Sequence, residues 1–403
     1  MAQYSLSTAS DLFKIKYGKL SDNVYNSANV LLGRVKKDYS FTGKRMDVAV
    51  PLSYQGGVGS GSLPTANYAS YDDAEISSKK MYAVCQIDRE AIKAAENDEG
   101  AFVRMTKHVV SKTVESWMRN MSRALFNDGT GALGVSTAAN AGGSATAPTI
   151  VISAATWNEA NWEEKDYVMI NSSNNAYSTS AIWEITAVAP STRTITLSRI
   201  SGSVDLTADA AAKTVYMQYS KDNDPEGIKG ICDATSSTKY NISIARRWQS
   251  YQLNASSAGL TTDYMNQCML GIEKQCGKVP NLIVTSYTQY RKLLNQLEDQ
   301  KQYIVEPRSP ELKGKVSFKG VEFMSTMGPV GVFADRFVDE DRMYFLNDNY
   351  MTIYHRPGFG WFDDDGTVFL RNSSEDAYDA RYGGYLQMYM PPSFHGVLYG
   401  LAT

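Results

Sequence analysis

Apolar side chains recur every three or four positions from Phe102 through Thr106, Val109, Val110, Val114, Trp117, Met118 and Met121 to Leu125, and that spacing predicts one long amphipathic helix. At 1.5 Å per residue the helix spans about 40 Å, and Asn127, Asp128 and Gly129 supply its stop. Upstream the period changes to two. Met46–Leu52 and Glu75–Ile87 alternate loosely, as two antiparallel strands do. Between them lies a polar tip, Gln55, Gly56, Gly57, Val58, Gly59, Ser60 and Gly61, running on to Ala66. The pattern predicts a long projecting hairpin. Ordering such a tip costs about 1–2 kcal/mol per residue with little apolar surface to offset it, so a neighbouring molecule is expected to order it. Asp88 is placed to cap a short helix through Glu96, and residues 97–100 break before the long one. Residues 1–45 read as an extended arm with a helical piece over Asp22–Leu32, and 33–45 hold no sustained period.

Past Gly129 the composition shifts. Residues 138–148 read as a small-residue linker, and Thr149–Ile152, Tyr167–Ile170, Ile182–Val188, Thr194–Ile200 and Thr214–Ser220 follow as short strands. Ile195 and Leu197 alternate with Thr194, Thr196 and Ser198, as a half-buried antiparallel sheet requires. These strands predict a small β-barrel or sandwich inserted into the main fold. From 222 the pattern is mixed. Thr261 caps a helix carrying Met265, Cys268, Met269, Ile272 and Cys276, Gly277 closes it, and the apolar run Leu282–Thr285 reads as a buried strand. A second helix shows Tyr287, Tyr290, Leu293, Leu294 and Leu297 on its inner face. Strands near Val316–Met324, Val330–Ala334 and Arg342–Leu346 complete an α+β unit, and Met351–Leu401 is strand-like and rich in aromatic residues.

Composition narrows the class. With 403 residues, 43% hydrophobic and 21% charged, the chain has enough material for two or three cores. Its 26 tyrosines suggest wide β-rich or interface surface. The formal net charge of -3 offers no overall attraction to nucleic acid, but the first segment is basic. Lys14, Lys16, Lys19, Arg34, Lys36 and Lys37 mark contacts to a polyanion or an acidic neighbour. No apolar run reaches the ~18 residues of a membrane span, so no membrane partner and a cytosolic origin are expected. Cys85 and Cys232 are isolated, and Cys268 and Cys276 lie about 12 Å apart along one helix, too far for a disulfide. All four read as reduced, buried thiols.

Catalytic and ligand motifs are weak. Gly129, Gly131 and Gly134 match G-x-G-x-x-G by letters, yet they follow a helix where a dinucleotide fingerprint opens one, so no cofactor is expected. Asp363, Asp364, Asp365 and Gly366 lack the alternating spacing of a calcium loop and read as a tight turn. The three histidines, His108, His355 and His395, have no partner at metal-ligand spacing. His395 reads as a structural histidine beside a turn. No catalytic, cofactor or metal residue is assigned, and no enzyme is expected.

Three local motifs carry a resemblance. They are Val279–Thr285 leading into Tyr290–Leu294, then Phe318–Phe323, and the closing Pro391–Tyr399. Together with the order arm, hairpin, long helix, α+β unit and β-rich return, they make the chain resemble tailed-bacteriophage major capsid proteins of the Hong Kong 97 type over nearly its full length. The resemblance implies an α+β fold with an N-arm at 1–45, an E-loop at 46–86, and a P-domain with a long spine helix at 87–145 and 338–390. It implies an A-domain at 221–337 and 391–403 and an all-β insertion domain at 146–220. The implied protein self-assembles into hexamers and pentamers of an icosahedral shell enclosing double-stranded DNA. Its implied partners are copies of itself, scaffolding, portal and decoration proteins, and packaged DNA held without sequence preference. It would act in the virion capsid and in the host cytoplasm during assembly. Some relatives lock the shell through a lysine of the E-loop, and residues 46–78 contain none, so that crosslink is not expected. Some relatives begin with a long scaffolding segment that is cleaved off; here arm-like sequence starts near Met1, and a separate scaffolding protein is the simpler expectation. A β-rich surface or carbohydrate-binding module and an encapsulin-like compartment stand as alternatives, as does an enzyme with a site hidden in the α+β unit.

Overall fold

The computed structural model describes residues 30–41, 43–53, 61, 70–90, 99–137, 141–172, 181–209, 211–233, 238–243, 248–299, 321–326, 328–363 and 366–403. Helix α1 (Val30–Arg34) and strand β1 (Lys36–Asp38) lead to β2 (Arg45–Ser53), β3 (Ser70–Ser77), β4 (Lys79–Asp88) and the long helix α2 (Glu99–Phe126). Seven strands follow: β5 (Ala132–Val135), β6 (Gly142–Ser144), β7 (Ala147–Val151), β8 (Tyr167–Ser172), β9 (Ile182–Ala189), β10 (Thr194–Ser201) and β11 (Lys213–Met217). After α3 (Ile228–Cys232) come β12 (Thr238–Lys239), β13 (Ile242–Ser243), β14 (Tyr251–Asn254), α4 (Thr262–Cys276), β15 (Leu282–Thr285) and α5 (Tyr287–Asp299). The chain ends with β16 (Val321–Ser325), β17 (Gly328–Ala334), β18 (Met343–Leu346), β19 (Thr352–Trp361), β20 (Phe369–Arg371), β21 (Ala377–Tyr389) and β22 (Gly396–Tyr399).

The long helix forms over 28 residues and buries the expected stripe, with Val110, Val114, Trp117, Met118, Met121 and Leu125 all inside. It lies on a five-stranded sheet in which β21 pairs with β4 on one side and with β19 and β20 on the other, and β1 runs parallel to β19. Met81, Cys85 and Ile87 of β4 point to the helix side. A six-stranded sheet, β14-β22-β18-β15-β17-β16, carries α4 and α5 and completes the α+β unit. Helix α4 has the predicted caps: the Thr261 hydroxyl accepts from the Tyr264 N–H, and Gly277 closes the last turn at φ 70°. The third large sheet, β5-β11-β8-β9-β10-β7-β6, holds its own core of Trp162, Val168, Trp183, Ile185, Ile195 and Leu197.

Several expectations change on contact with the fold. The predicted second hairpin strand at 75–87 is two strands: β3 pairs with β2, while β4 enters the five-stranded sheet. The signal was in the phase, since β3 buries even positions, Ala74 and Ile76, and β4 buries odd ones, Met81, Cys85 and Ile87. One residue, Ser78, resets the alternation and lets the chain change sheets. The segment read as a linker at 138–148 contains β6 and the first two residues of β7, antiparallel to each other around a turn. Gly143 makes it possible at φ +82°, where a Cβ would sit 2.4 Å from the Ala147 carbonyl oxygen. Residues 138–140 lie outside the described residues. The third sheet therefore starts at β5, not at 146, because Leu133 is buried in its core. The stretch 33–45 holds a strand after all; β1 has only three residues, too few for a period, and β19 orders it.

Smaller points also resolve. Asp88 accepts from the Glu90 N–H at 2.8 Å, as a cap does, but 91–98 lie outside the described residues, as do 22–29 of the predicted arm helix and 316–320 of the predicted strand. The Gly366 N–H donates to Asp363 O at 2.8 Å, closing the turn expected there. Cys85, Cys232 and Cys268 are buried free thiols, while Cys276 is only half-buried because it sits in the last turn of α4.

Candidate assembly surfaces

Strands β2 and β3 form a two-stranded sheet, with Arg45 opposite Ser77 and Val50 opposite Asp72. An isolated pair of this kind is at best marginally stable in water. One face, Met46, Val48, Val50, Ala74 and Ile76, rests on the main core. The base is pinned as well: the Glu75 N–H donates to Tyr240 O at 2.9 Å, and Asn241 Nδ2 donates to the Glu75 carboxylate at 2.9 Å. Arg45 bridges Asp47 and Glu75, each at 2.7 Å, and its hydrogen bond holds the Asp47 carboxyl below the usual range. The opposite face presents Asp47, Ala49, Pro51, Tyr71 and Asp73 to solvent, with Tyr71 65% exposed. Of the predicted tip residues, Gln55, Gly56, Gly57, Val58, Gly59 and Ser60 lie outside the described residues. Gly61 is exposed at φ +106°.

The predicted basic contacts divide. Lys14, Lys16 and Lys19 lie outside the described residues, whereas Arg34, Lys36 and Lys37 sit together on α1 and β1. Arg34 packs over the Phe333 ring at 4.6 Å and faces Asp348 at 3.9 Å, and Lys36 Nζ donates to Asn349 O at 3.1 Å. These two cations are engaged with their own chain.

Sequence reasoning missed a second surface, on the side of the five-stranded sheet away from α2. Tyr82 lies 5.7 Å from Phe362 and 6.3 Å, edge-on, from Tyr385. Burial, with the Tyr385 hydrogen bond adding to it, pushes the Tyr82 hydroxyl up to about 12. Lys80 Nζ lies 6.0 Å above the Tyr385 ring. Register puts Arg381 opposite Val84 and Arg356 opposite Tyr385, so both arginines share this face. The available signal was the alternation of Lys80, Tyr82 and Val84 with the buried positions of β4.

Interior chemistry is structural. His395 is fully buried; its Nδ1 accepts from the Asn347 N–H at 3.1 Å, and burial pushes its pKa down to about 3. An unfolded histidine, near 6.5, then takes up a proton that the folded one refuses, so stability is complete above pH 6.5 and falls as pH drops toward 3, by up to about 1.4 kcal/mol per pH unit. Urea midpoints of the full chain between pH 4 and 7 should show this slope, and H395N should flatten it.

A cavity of about 480 Å³ lies between Asn158–Glu163 and the start of α5. Its Ser286 hydroxyl donates to Glu340 O at 3.1 Å, and its Asp335 carboxylate, raised by burial, accepts from the Phe337 N–H at 3.0 Å. Both groups build a loop and not a nucleophile–base pair. Among the described residues no His, Cys, Asp and Glu cluster has metal-binding geometry. No described helix is long and apolar enough to cross a membrane.

Comparison with known proteins places this architecture. The solved cyanophage A-1(L) capsid asymmetric unit superposes with a TM-score of 0.55 at 12% identity, covering 92% of this chain and 91% of that one. The capsid of a native GTA particle gives 0.47 at 9% identity, covering 92% and 90%. A holo encapsulin complex from Synechococcus elongatus gives 0.45 at 6%, covering 92% and 86%. No curated protein matches by sequence. The fold is the α+β fold of Hong Kong 97 type capsid proteins. The family model for the SU10 major capsid protein matches residues 64–359, well over half of the sequence, and the chain belongs to that family, as a capsid shell subunit of a tailed phage that assembles with copies of itself.

Proposed function

We propose that this subunit closes into hexamers and pentamers of an icosahedral shell around double-stranded DNA. The family match carries the reading, and the hairpin supports it, because one face is anchored at home and the other faces solvent. In this division 1–45 is the N-arm, 46–86 the E-loop, 87–145 with 338–390 the P-domain, and 221–337 with 391–403 the A-domain. The all-β insertion is 146–220, and its sheet is extended by β5 and β6 from the preceding segment. Each E-loop lies across a neighbour and each arm hooks beneath another, so the contacts are heterologous and close into rings. Wrapped contacts of this sort bury more than about 2,000 Å². Scaffolding and portal proteins are the assembly partners, decoration proteins bind the finished shell, and Lys14, Lys16 and Lys19 meet packaged DNA without sequence preference. Assembly takes place in the host cytoplasm, and the subunit's role is structural and not catalytic.

Negative-stain microscopy of the purified chain, alone and with its candidate scaffolding protein, should show closed shells; a monomer under every condition would overturn the reading. With no lysine between 46 and 78, boiled particles should run as one band at 44.5 kDa. A ladder of covalent multimers would contradict that.

A further inference from the structure

The cavity of about 480 Å³ between the 158–163 segment and the start of α5 has no part in shell closure as described above. Its wall on the insertion side is built by a short 3-10 turn, Glu159–Asn161, which Asn158 caps by accepting from the Ala160 N–H at 3.0 Å. That bond uses the side-chain oxygen of Asn158 and leaves the amide NH2. The residue is 5% exposed, and its Nδ2 is buried with no acceptor among the described residues. Trp162, 4% exposed on the same wall, carries a second such donor at Nε1. A buried donor without an acceptor is destabilising until something completes it.

The opposite wall supplies acceptors. Asp335 directly follows β17 and is 9% exposed. One of its carboxylate oxygens accepts from the Phe337 N–H at 3.0 Å, and the other has no partner among the described residues. Burial pushes this carboxyl above the usual range, so a further donor is favourable there. Val338 adds a buried apolar patch, and Tyr287, the first residue of α5, is 62% exposed.

The ligand class follows from the bonds these groups still need. A cation leaves both N–H donors unanswered, and no described His, Cys, Asp and Glu cluster has metal-binding geometry. An anion meets four carboxylates, Glu159, Glu163, Asp335 and Glu340, against the single guanidinium of Arg336. A neutral hydroxyl both donates and accepts, and several of them around an apolar ring face make a sugar. The volume agrees, since small-molecule sites span about 300–1,000 Å³.

We propose that this cavity binds one neutral sugar ring, with the Asn158 amide donating to a hydroxyl, Asp335 accepting from another, and Tyr287 covering the apolar face of the ring. The site lies between the insertion and the α4–α5 unit, so an occupied cavity ties the two together. This binding role does not depend on the shell reading.

Saturation-transfer NMR on the purified full chain tests it with the methyl glycosides of glucose, galactose, mannose and N-acetylglucosamine, and with glucuronate and spermidine as charged probes. At least one neutral glycoside should bind, and glucuronate should bind at least about tenfold more weakly, a factor equivalent to ~1.4 kcal/mol. Asn158→Asp keeps the oxygen that caps the turn and removes the donor, and Asp335→Asn keeps the acceptor for Phe337, so both variants should melt with the wild type. Tyr287→Ala, at an exposed position, repeats the test should either of them melt early. Each folded variant should weaken the glycoside at least about tenfold. The inference is overturned if none of the four glycosides binds, if binding is unchanged in every folded variant, or if spermidine binds where the glycosides do not. Binding is read on the chain in any assembly state, so shells without sugar binding sink this inference alone, and sugar binding without shells sinks only the shell reading.

Discussion

Removing Gly56–Thr65 is expected to leave a folded monomer that forms no shells. The hairpin base holds itself through Ala74 and Ile76 in the main core and through the Glu75 bond to Tyr240, none of which the deletion touches. Melting should therefore move little, since surface changes away from core, caps and networks stay within about 0.5 kcal/mol. Assembly responds differently. A tip poor in apolar surface contributes through the neighbour it is ordered by, and a loss of only ~1.4 kcal/mol weakens one contact tenfold. A closed ring repeats that loss at every subunit, so the factors multiply and particle yield should drop below detection in sedimentation and microscopy. Normal particles from the deletion would show that the tip contributes nothing to closure.

What could be read from the sequence follows the range of the interactions concerned. Helix α2 and the caps of α4 were legible because a stripe, a Thr and a Gly act within a few residues of where they stand. The strands at 182–201 were legible for the same reason, alternating around Trp183, Ile185, Ile195 and Leu197, while β8 was legible as a short continuous apolar run, Val168–Ile170. Pairing is not local. Alternation shows which residues share a face and says nothing about which sheet receives them, so β3 and β4 looked like one strand until the phase slip at Ser78 was seen against two partners. Strand β1, three residues ordered by β19, left no pattern to find. The assembly surfaces split the same way: the hairpin was visible as a glycine-rich interruption, whereas the Tyr82 face is assembled from β4, β21 and the end of β19, some 280 residues apart in sequence. Arg34 and Lys36 looked like contacts for a polyanion because their own partners, Asp348, Phe333 and Asn349, come from the far end of the chain.

The substitution with the largest expected effect on stability is W117A. Trp117 is 1% exposed and stands where α2 crosses the five-stranded sheet, 5.0 Å from the Phe359 ring and 5.3 Å, edge-on, from Tyr382. Its indole N–H donates to Met81 O at 3.4 Å, so one side chain ties the helix to β4, β19 and β21. Truncation removes the transfer energy of the ring and leaves a cavity between a rigid helix and a rigid sheet, a combination that costs about 3–5 kcal/mol when the surroundings cannot collapse. Set against a typical stability of about 5–15 kcal/mol, the loss is large enough to populate unfolded chain at ambient temperature. By contrast Y82A, on the other side of the same strand and 46% exposed, should stay within about 0.5 kcal/mol as a monomer. Urea unfolding of the two variants side by side separates the roles of the two faces. Should W117A unfold within about 1 kcal/mol of the wild type, α2 is not the element that holds this sheet together, since a buried aromatic truncation that cheap requires a site already loosely packed.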